Sequence, residues 1–181
     1  MDKYEFRLRV QEIDKLIDKQ QYAEAVRLAD TIDWRKIKKT GTLIKIAELY
    51  KINKRFEECK DLLEIAYDRN PYNKRVVYDL SEVCLEFGDI VNAVEYFKEF
   101  AQLAPNDIEI YTLKYRLLDA NNVGAEEKID LLEELRSKTR IGIAEWEYEL
   151  AYLYHRSGQA TKCVEICDEI VLWNNDGPFV T

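Results

Sequence analysis

Residues 74–107 read KRVVYDLSEVCLEFGDIVNAVEYFKEFAQLAPND, and the fold follows from them. In the first half Val76, Val77, Leu80, Val83, Cys84 and Phe87 recur at spacings of three and four, one face of an α-helix. Gly88 ends that helix, because a residue without a Cβ enters the left-handed backbone region without a clash. Asp89 is then placed to cap the next helix by accepting a backbone N–H bond. The second helix repeats the pattern with Ile90, Ala93, Val94, Phe97, Phe100 and Ala101, of which Ala93 and Ala101 are small enough for close helix approach. Pro105 lacks the N–H that a continuing helix needs.

The preceding stretch, 40–73, matches in register. Pro71 and Pro105 stand 34 residues apart, and so do the small residues Cys59 and Ala93. This helical hairpin of 34 residues resembles the tetratricopeptide repeat. The family's signature positions hold Val77, Leu80, Ser81, Cys84, Gly88, Ile90, Ala93, Phe97, Phe100 and Pro105 in one unit. In the unit before they hold Leu43, Ile46, Ala47, Tyr50, Lys54, Phe56, Cys59, Leu63, Ala66 and Pro71. Two adjacent matches in phase mark an array. The resemblance implies an all-α, right-handed α-solenoid of about five repeats and about ten helices, forming a single domain over 1–181.

The other units are read outward from this pair. The first, 4–39, has a helix over 4–19 with Tyr4, Phe6, Val10, Ile13, Leu16 and Ile17 inward, then a partner over 22–32 with Tyr22, Ala25, Ala29 and Ile32 inward. Trp34 to Lys39 reads as a connector whose Trp34 and Ile37 pack while its basic residues face water. The fourth unit, 108–142, is looser, with Ile110, Leu113, Leu117 and Leu118, then Ile129, Leu131, Leu132 and Leu135. Cys163 follows Ala93 by 70 residues and not 68, so this unit holds about two extra residues. The fifth, 143–173, places Leu150, Ala151, Tyr154, Gly158, Ala160, Cys163, Cys167 and Ile170 at the repeat positions. A tail over 174–181 follows. Val164, Val171, Leu172 and Trp173 are expected at an open end, which implies a fragment of a longer chain or an end that meets a partner.

Composition bounds the function. Apolar content of 47% with 12% aromatics supports a packed core. Residues 1–73 carry 16 basic and 14 acidic groups, and residues 74–181 carry 11 and 21, within a net charge of −8. An acidic half of this kind argues against nucleic-acid binding, which needs a dominant basic surface. No apolar run approaches the length of a membrane span, and the start, MDKYEFRLRV, has no apolar leader. Four scattered cysteines on helix faces suggest free thiols and a cytoplasmic protein.

No pattern in the chain calls for catalysis, a cofactor or a metal. Glycine-rich phosphate loops, nucleophile elbows and zinc-protease motifs are absent from the sequence. His155 is the single histidine and lacks a nearby nucleophile. Cys163 and Cys167 share a helix face, but they fall where repeats pack small residues, and zinc needs further ligands. The paired acids Glu57–Glu58, Glu126–Glu127 and Glu133–Glu134 read as solvated charge.

The resemblance implies instead a concave surface lined by the first helices. Residue by residue it places there Lys45 and Glu48, then Tyr78, Asp79 and Glu82, then Arg116, and finally Tyr148, Glu149, Tyr152, His155 and Arg156. Ile44, Glu48, Asp79 and Glu82 stand where carboxylate-clamping relatives carry cationic or amide groups, so tail-carboxylate binding is disfavoured. The expected function is a non-catalytic scaffold holding a partner peptide or helix that offers basic and apolar anchors. The alternatives are assembly through the open C-terminal end, or the sensing part of a peptide-responsive regulator.

Overall fold

The computed structural model describes residues 3–139 and 143–173. Its described residues form ten α-helices: α1 Lys3–Asp18, α2 Tyr22–Ala29, α3 Thr40–Ile52, α4 Phe56–Arg69, α5 Lys74–Glu86, α6 Ile90–Leu103, α7 Glu109–Ala120, α8 Ala125–Lys138, α9 Ala144–Arg156 and α10 Ala160–Trp173. A short 3-10 turn over Trp34–Lys36 lies between α2 and α3. The tail and residues 140–142 lie outside the described residues.

All five hairpins turn the same way. Gln20, Lys54, Gly88, Asn122 and Gly158 each take a positive φ between 53° and 75°. At the third turn, the Gly88 N–H donates to the Leu85 carbonyl at 3.0 Å and the Asp89 N–H donates to Cys84 at 2.9 Å. That pair of bonds is the Schellman closure, which satisfies carbonyls orphaned at a helix end. Equivalent pairs close the other four turns, as in Lys54 to Lys51 with Arg55 to Tyr50. The left-handed residues recur every 34 positions up to Asn122, and Gly158 follows after 36, which places the two extra residues within the fourth unit. Asp89 caps α6 by accepting the Asn92 N–H at 3.2 Å.

Chain contacts divide the molecule into two compact units, Met1–Pro105 and Asn106–Thr181. In the first unit each helix packs on its sequence neighbour from α1 to α6. Its core includes Ile13, Ala25, Leu43, Ile46, Leu63, Val76 and Leu80. Ala25, Cys59 and Ala93, one per repeat, are fully buried where a larger side chain would hold the helices apart. Ser81 supports the third hairpin by donating to the Ala93 carbonyl at 2.9 Å. In the second unit α7 to α10 pack in sequence around Tyr115, Ile129, Leu132, Leu150, Tyr154 and Ile170. The small-residue site of the fourth repeat falls on Glu127 or Lys128, of which Glu127 is exposed and Lys128 largely covered. The Lys128 ammonium bridges α8 to α7, pairing with Asp119 at 2.6 Å and lying 5.7 Å from the Tyr115 ring centroid.

The connector behaves as its composition implies. Trp34 is buried and its indole N–H donates to the Ala29 carbonyl at 3.0 Å, while Arg35, Lys36, Lys38 and Lys39 are exposed.

Several inward assignments differ. Tyr4 is 70% exposed, because no described helix packs over this part of α1. Phe87 is 45% exposed at the C-cap of α5, where the chain has begun to turn away from the core face. The partner helix of the first repeat ends at Ala29, three residues early, although Ile32 is still buried. Cys167 is exposed and Cys163 half-buried, so the two do not form a packed pair. The inner face of α10 is taken by Ile166 and Ile170.

Candidate functional site

The first-helix positions form one cluster in each unit. In the first unit α3 and α5 carry it. Lys45 is exposed and its ammonium donates to Asp14 of α1 at 2.6 Å, tying the first two repeats together. Glu48 is exposed and lies 4.0 Å from the Arg75 guanidinium. Arg75 also donates through Nε to Asp79 Oδ2 at 2.9 Å. Lys51 reaches across from α3, pairing with Glu82 and standing 3.8 Å from Asp79 Oδ1.

Tyr78, Asp79 and Glu82 are not on open surface. They are 7%, 4% and 8% exposed. The Tyr78 ring meets Phe100 edge-on at 5.4 Å, and its hydroxyl lies 3.4 Å from Glu82 Oε1. Two carboxylates can be buried here because two cations, Lys51 and Arg75, accompany them. Burial still dominates at Asp79. It pushes that carboxyl above its ordinary value against the pull of Arg75 and Lys51, and Oδ1 makes no hydrogen bond among the described residues. The acidic character of the third repeat is therefore largely spent on joining it to the second.

In the second unit α7 and α9 carry the cluster. Tyr115 is buried, meets Trp146 edge-on at 5.2 Å and donates its hydroxyl to Glu149. Burial, followed by this bond to a carboxylate, raises the phenol's pKa. Glu149 thus orients α9 on α7. Arg116 is half-buried on α7. Tyr148 and Tyr152 lie one helical turn apart on α9, 51% and 46% exposed. Arg156 continues this stripe, with its guanidinium 5.7 Å from the Tyr152 ring centroid, and His155 is exposed beside it.

Sequence reading missed three features. Lys51 was not among the groove residues, because its partners lie about one repeat further along the chain. Glu147 of α9 is buried, accepting from Arg136 Nε at 3.2 Å, and burial raises its pKa. An open cleft of about 190 Å³ lies beside the connector, lined by Ile32, Asp33, Trp34, Tyr50, Asp61 and Leu62 among others. Nothing in the local periodicity announces a cleft built from a connector and two helices. Among the described residues no group of three His, Cys, Asp or Glu side chains is placed to hold a metal ion. No described helix is long and apolar enough to cross a membrane.

No protein-family model and no curated protein matches the sequence. Solved structures do match its shape. A tetratricopeptide-repeat protein from Parabacteroides merdae superposes with a TM-score of 0.78 at 13% identity, covering 94% of this chain and 66% of that one. MamA from Desulfovibrio magneticus RS-1, residues 41 to the end, gives 0.72 at 13% identity, with 95% and 96% covered. YrrB, described as a tetratricopeptide-repeat protein with an unusual peptide-binding site, gives 0.60 at 18% identity, with 94% and 87% covered. These likenesses span nearly the whole chain, and they agree with the ten helices, the five Schellman turns and the repeat spacing of 34. The chain has the tetratricopeptide-repeat fold.

Proposed function

We propose that the chain is a non-catalytic protein–protein interaction scaffold, one solenoid domain of five repeats, that holds a partner peptide or helix against its first helices. The observation that carries this reading is the stripe on α9. Tyr148 and Tyr152 leave about half of their surface in water one turn apart, and Arg156 and His155 extend the row. Tyrosine offers broad apolar contact with a polar tip and has little rotamer freedom to lose, so such a stripe is suited to a partner surface. Peptide binding by the structural neighbour YrrB is consistent with the same use of this fold.

Among the candidate residues, Tyr148, Tyr152, His155 and Arg156 are the contact set, with Lys45, Glu48 and Arg116 as further polar contacts. Tyr78, Asp79, Glu82 and Glu149 support the helices that present them. Apolar anchors of the partner meet the tyrosines, and its basic groups meet the acidic second half of the chain, so binding weakens with salt. The unpaired, buried Cys59 and Cys84 suit a reducing, cytoplasmic setting.

Capture from a cell extract, read by mass spectrometry, tests this. Wild type is compared with a Tyr148→Ala/Tyr152→Ala variant whose helicity is checked by circular dichroism. The expected result is a partner held by wild type and lost by the variant. A partner held equally by both, or none held by either, overturns the assignment to α9.

A further inference from the structure

α2 stops at Ala29 after 8 residues, while the second helices of the next three repeats, α4, α6 and α8, each run for 14. The six residues by which it falls short, 30–35, turn into the connector instead. The open cleft of about 190 Å³ is the space beside this unwound stretch. The connector lines it with Ile32, Asp33, Trp34 and Arg35. α4 lines it with Glu58, Asp61, Leu62 and Ile65, which share one helix face at spacings of three and four.

The next repeat junction fills the corresponding space from within the chain. Asp33, Leu62 and Ile65 stand 34 residues before Tyr67, Tyr96 and Glu99. There the Tyr67 ring meets Tyr96 edge-on at 5.7 Å, and its hydroxyl donates to Glu99 at 2.9 Å. The filler of that junction is thus an apolar body with a donor at its tip, held by a carboxylate. Asp33 has no such body to offer, and the first junction stays open.

The charges around the cleft select the tip. Its lining holds three carboxylates, Asp33, Glu58 and Asp61, against one guanidinium, Arg35. Asp33 is paired with Lys36 at 3.0 Å, both of them exposed, and Glu58 accepts from Arg55 Nε at 2.8 Å. Asp61 is exposed and forms no ion pair among the described residues. Arg55 shows how this wall holds a cation: its guanidinium lies 4.9 Å from the ring centroid of Tyr50, another lining residue, and pairs with Asp30 at 2.6 Å as well as with Glu58.

We propose that the cleft binds one lysine or arginine side chain of a partner polypeptide. The stem lies on Ile32, Trp34, Leu62 and Ile65, and the cation meets Asp61. Arg35 belongs to the connector, so the cation seats on the α4 side. Asp33 joins it by giving up its exposed Lys36, a pair that holds little energy. The size fits one side chain, since clefts that enclose a whole small molecule run to about 300–1,000 Å³. The site lies in the first unit and stands or falls apart from the α9 stripe, which lies in the second.

NMR titration of the whole chain tests this, read at the backbone amides of residues 32–35 and 58–65 and at the Trp34 indole. The probes are capped tripeptides: leucine–arginine–leucine, and the same peptide with glutamine or glutamate at its centre. The arginine peptide is expected to shift these signals saturably, to bind about fivefold more tightly than the glutamine peptide, and to weaken with added salt. Asp61→Lys, at an exposed position, is expected to abolish that preference and to favour the glutamate peptide. Equal affinity for the arginine and glutamine peptides, or an arginine preference that survives Asp61→Lys, overturns the basic guest. Absence of saturable shifts at the cleft with the arginine peptide overturns the site itself.

Discussion

Arg75 Nε donates to Asp79 Oδ2 at 2.9 Å, one turn along α5, yet the Asp79 carboxyl titrates above its ordinary value. Burial opposes its charge more than Arg75 and Lys51 favour it. As pH falls, the folded protein therefore takes up a proton at Asp79 before the unfolded chain does. The sign follows: stability rises as pH drops through the raised folded value, and the gain is complete below the unfolded value of 3.8. Asp79→Asn removes this slope. Urea unfolding at a series of pH values should show wild type gaining on Asp79→Asn as the solution is acidified. A flat or shrinking difference would mean that Lys51 and Arg75 keep the carboxylate ionised.

Glu58 has the opposite sign. Its bond from Arg55 outweighs burial and holds the carboxyl below its ordinary value. Stability from this pair is present above the unfolded value and is lost as pH falls through the folded one. Comparison of Glu58→Gln with wild type should show the difference shrinking on acidification, the reverse of the Asp79 pair. Salt should also reduce it, since both side chains are substantially exposed.

Leu80 and Phe87 are alike in sequence, both on the periodic face of α5, but only Leu80 is buried. Leu80→Ala should lower the unfolding free energy by about 2–5 kcal/mol, through lost transfer energy and the cavity left behind. Phe87→Ala should cost under about 1 kcal/mol, mainly the loss of the Lys60 ammonium above its ring. Equilibrium unfolding of the two variants decides whether periodicity or position at the helix end governs Phe87.

The hairpins were legible because their signals are local. Gly88, Asp89 and the three-and-four spacing of α5 and α6 lie within one unit, and repetition of that unit removes the ambiguity of each signal alone. The candidate surface was only half legible. Tyr148 and Tyr152 emerged where the repeat pattern puts them. Asp79 and Glu82 have the same local pattern, but Lys51, some thirty residues earlier, draws them into a buried ion-pair network. Tyr4 differs for a related reason: its periodicity is that of an inward residue, but no described helix packs over it.

The turn residue of the second repeat is Lys54, at a φ of +58°, where the third repeat has Gly88 at +69°. A Cβ at Gly88 would meet nothing within 4 Å, so the cost of Gly88→Ala is a backbone cost alone, about 1–2 kcal/mol. Lys54→Gly reverses it in part, because glycine also has more freedom to lose on folding. Thermal unfolding should show Gly88→Ala destabilised and Lys54→Gly stabilised by up to about 1 kcal/mol. Equal destabilisation by both would show that the Lys54 side chain contributes more than its backbone strain costs.

Thiol labelling reads the packing of the helices directly. Cys59 is buried between α3, α4 and α5, and burial pushes its thiol up to about 12, so it holds almost no thiolate near neutral pH. Cys84 is buried too, and its pKa is likewise raised by burial. Cys167 stands exposed on the outer stripe of α10 and Cys163 is half-covered. Alkylation of the native protein, followed by peptide mass spectrometry, should modify Cys167 first and Cys163 next. Cys59 and Cys84 should react only at the rate of unfolding, and Leu80→Ala should hasten both. Labelling of Cys59 as fast as Cys167 in the native protein would mean that the second hairpin opens far more readily than its buried core implies.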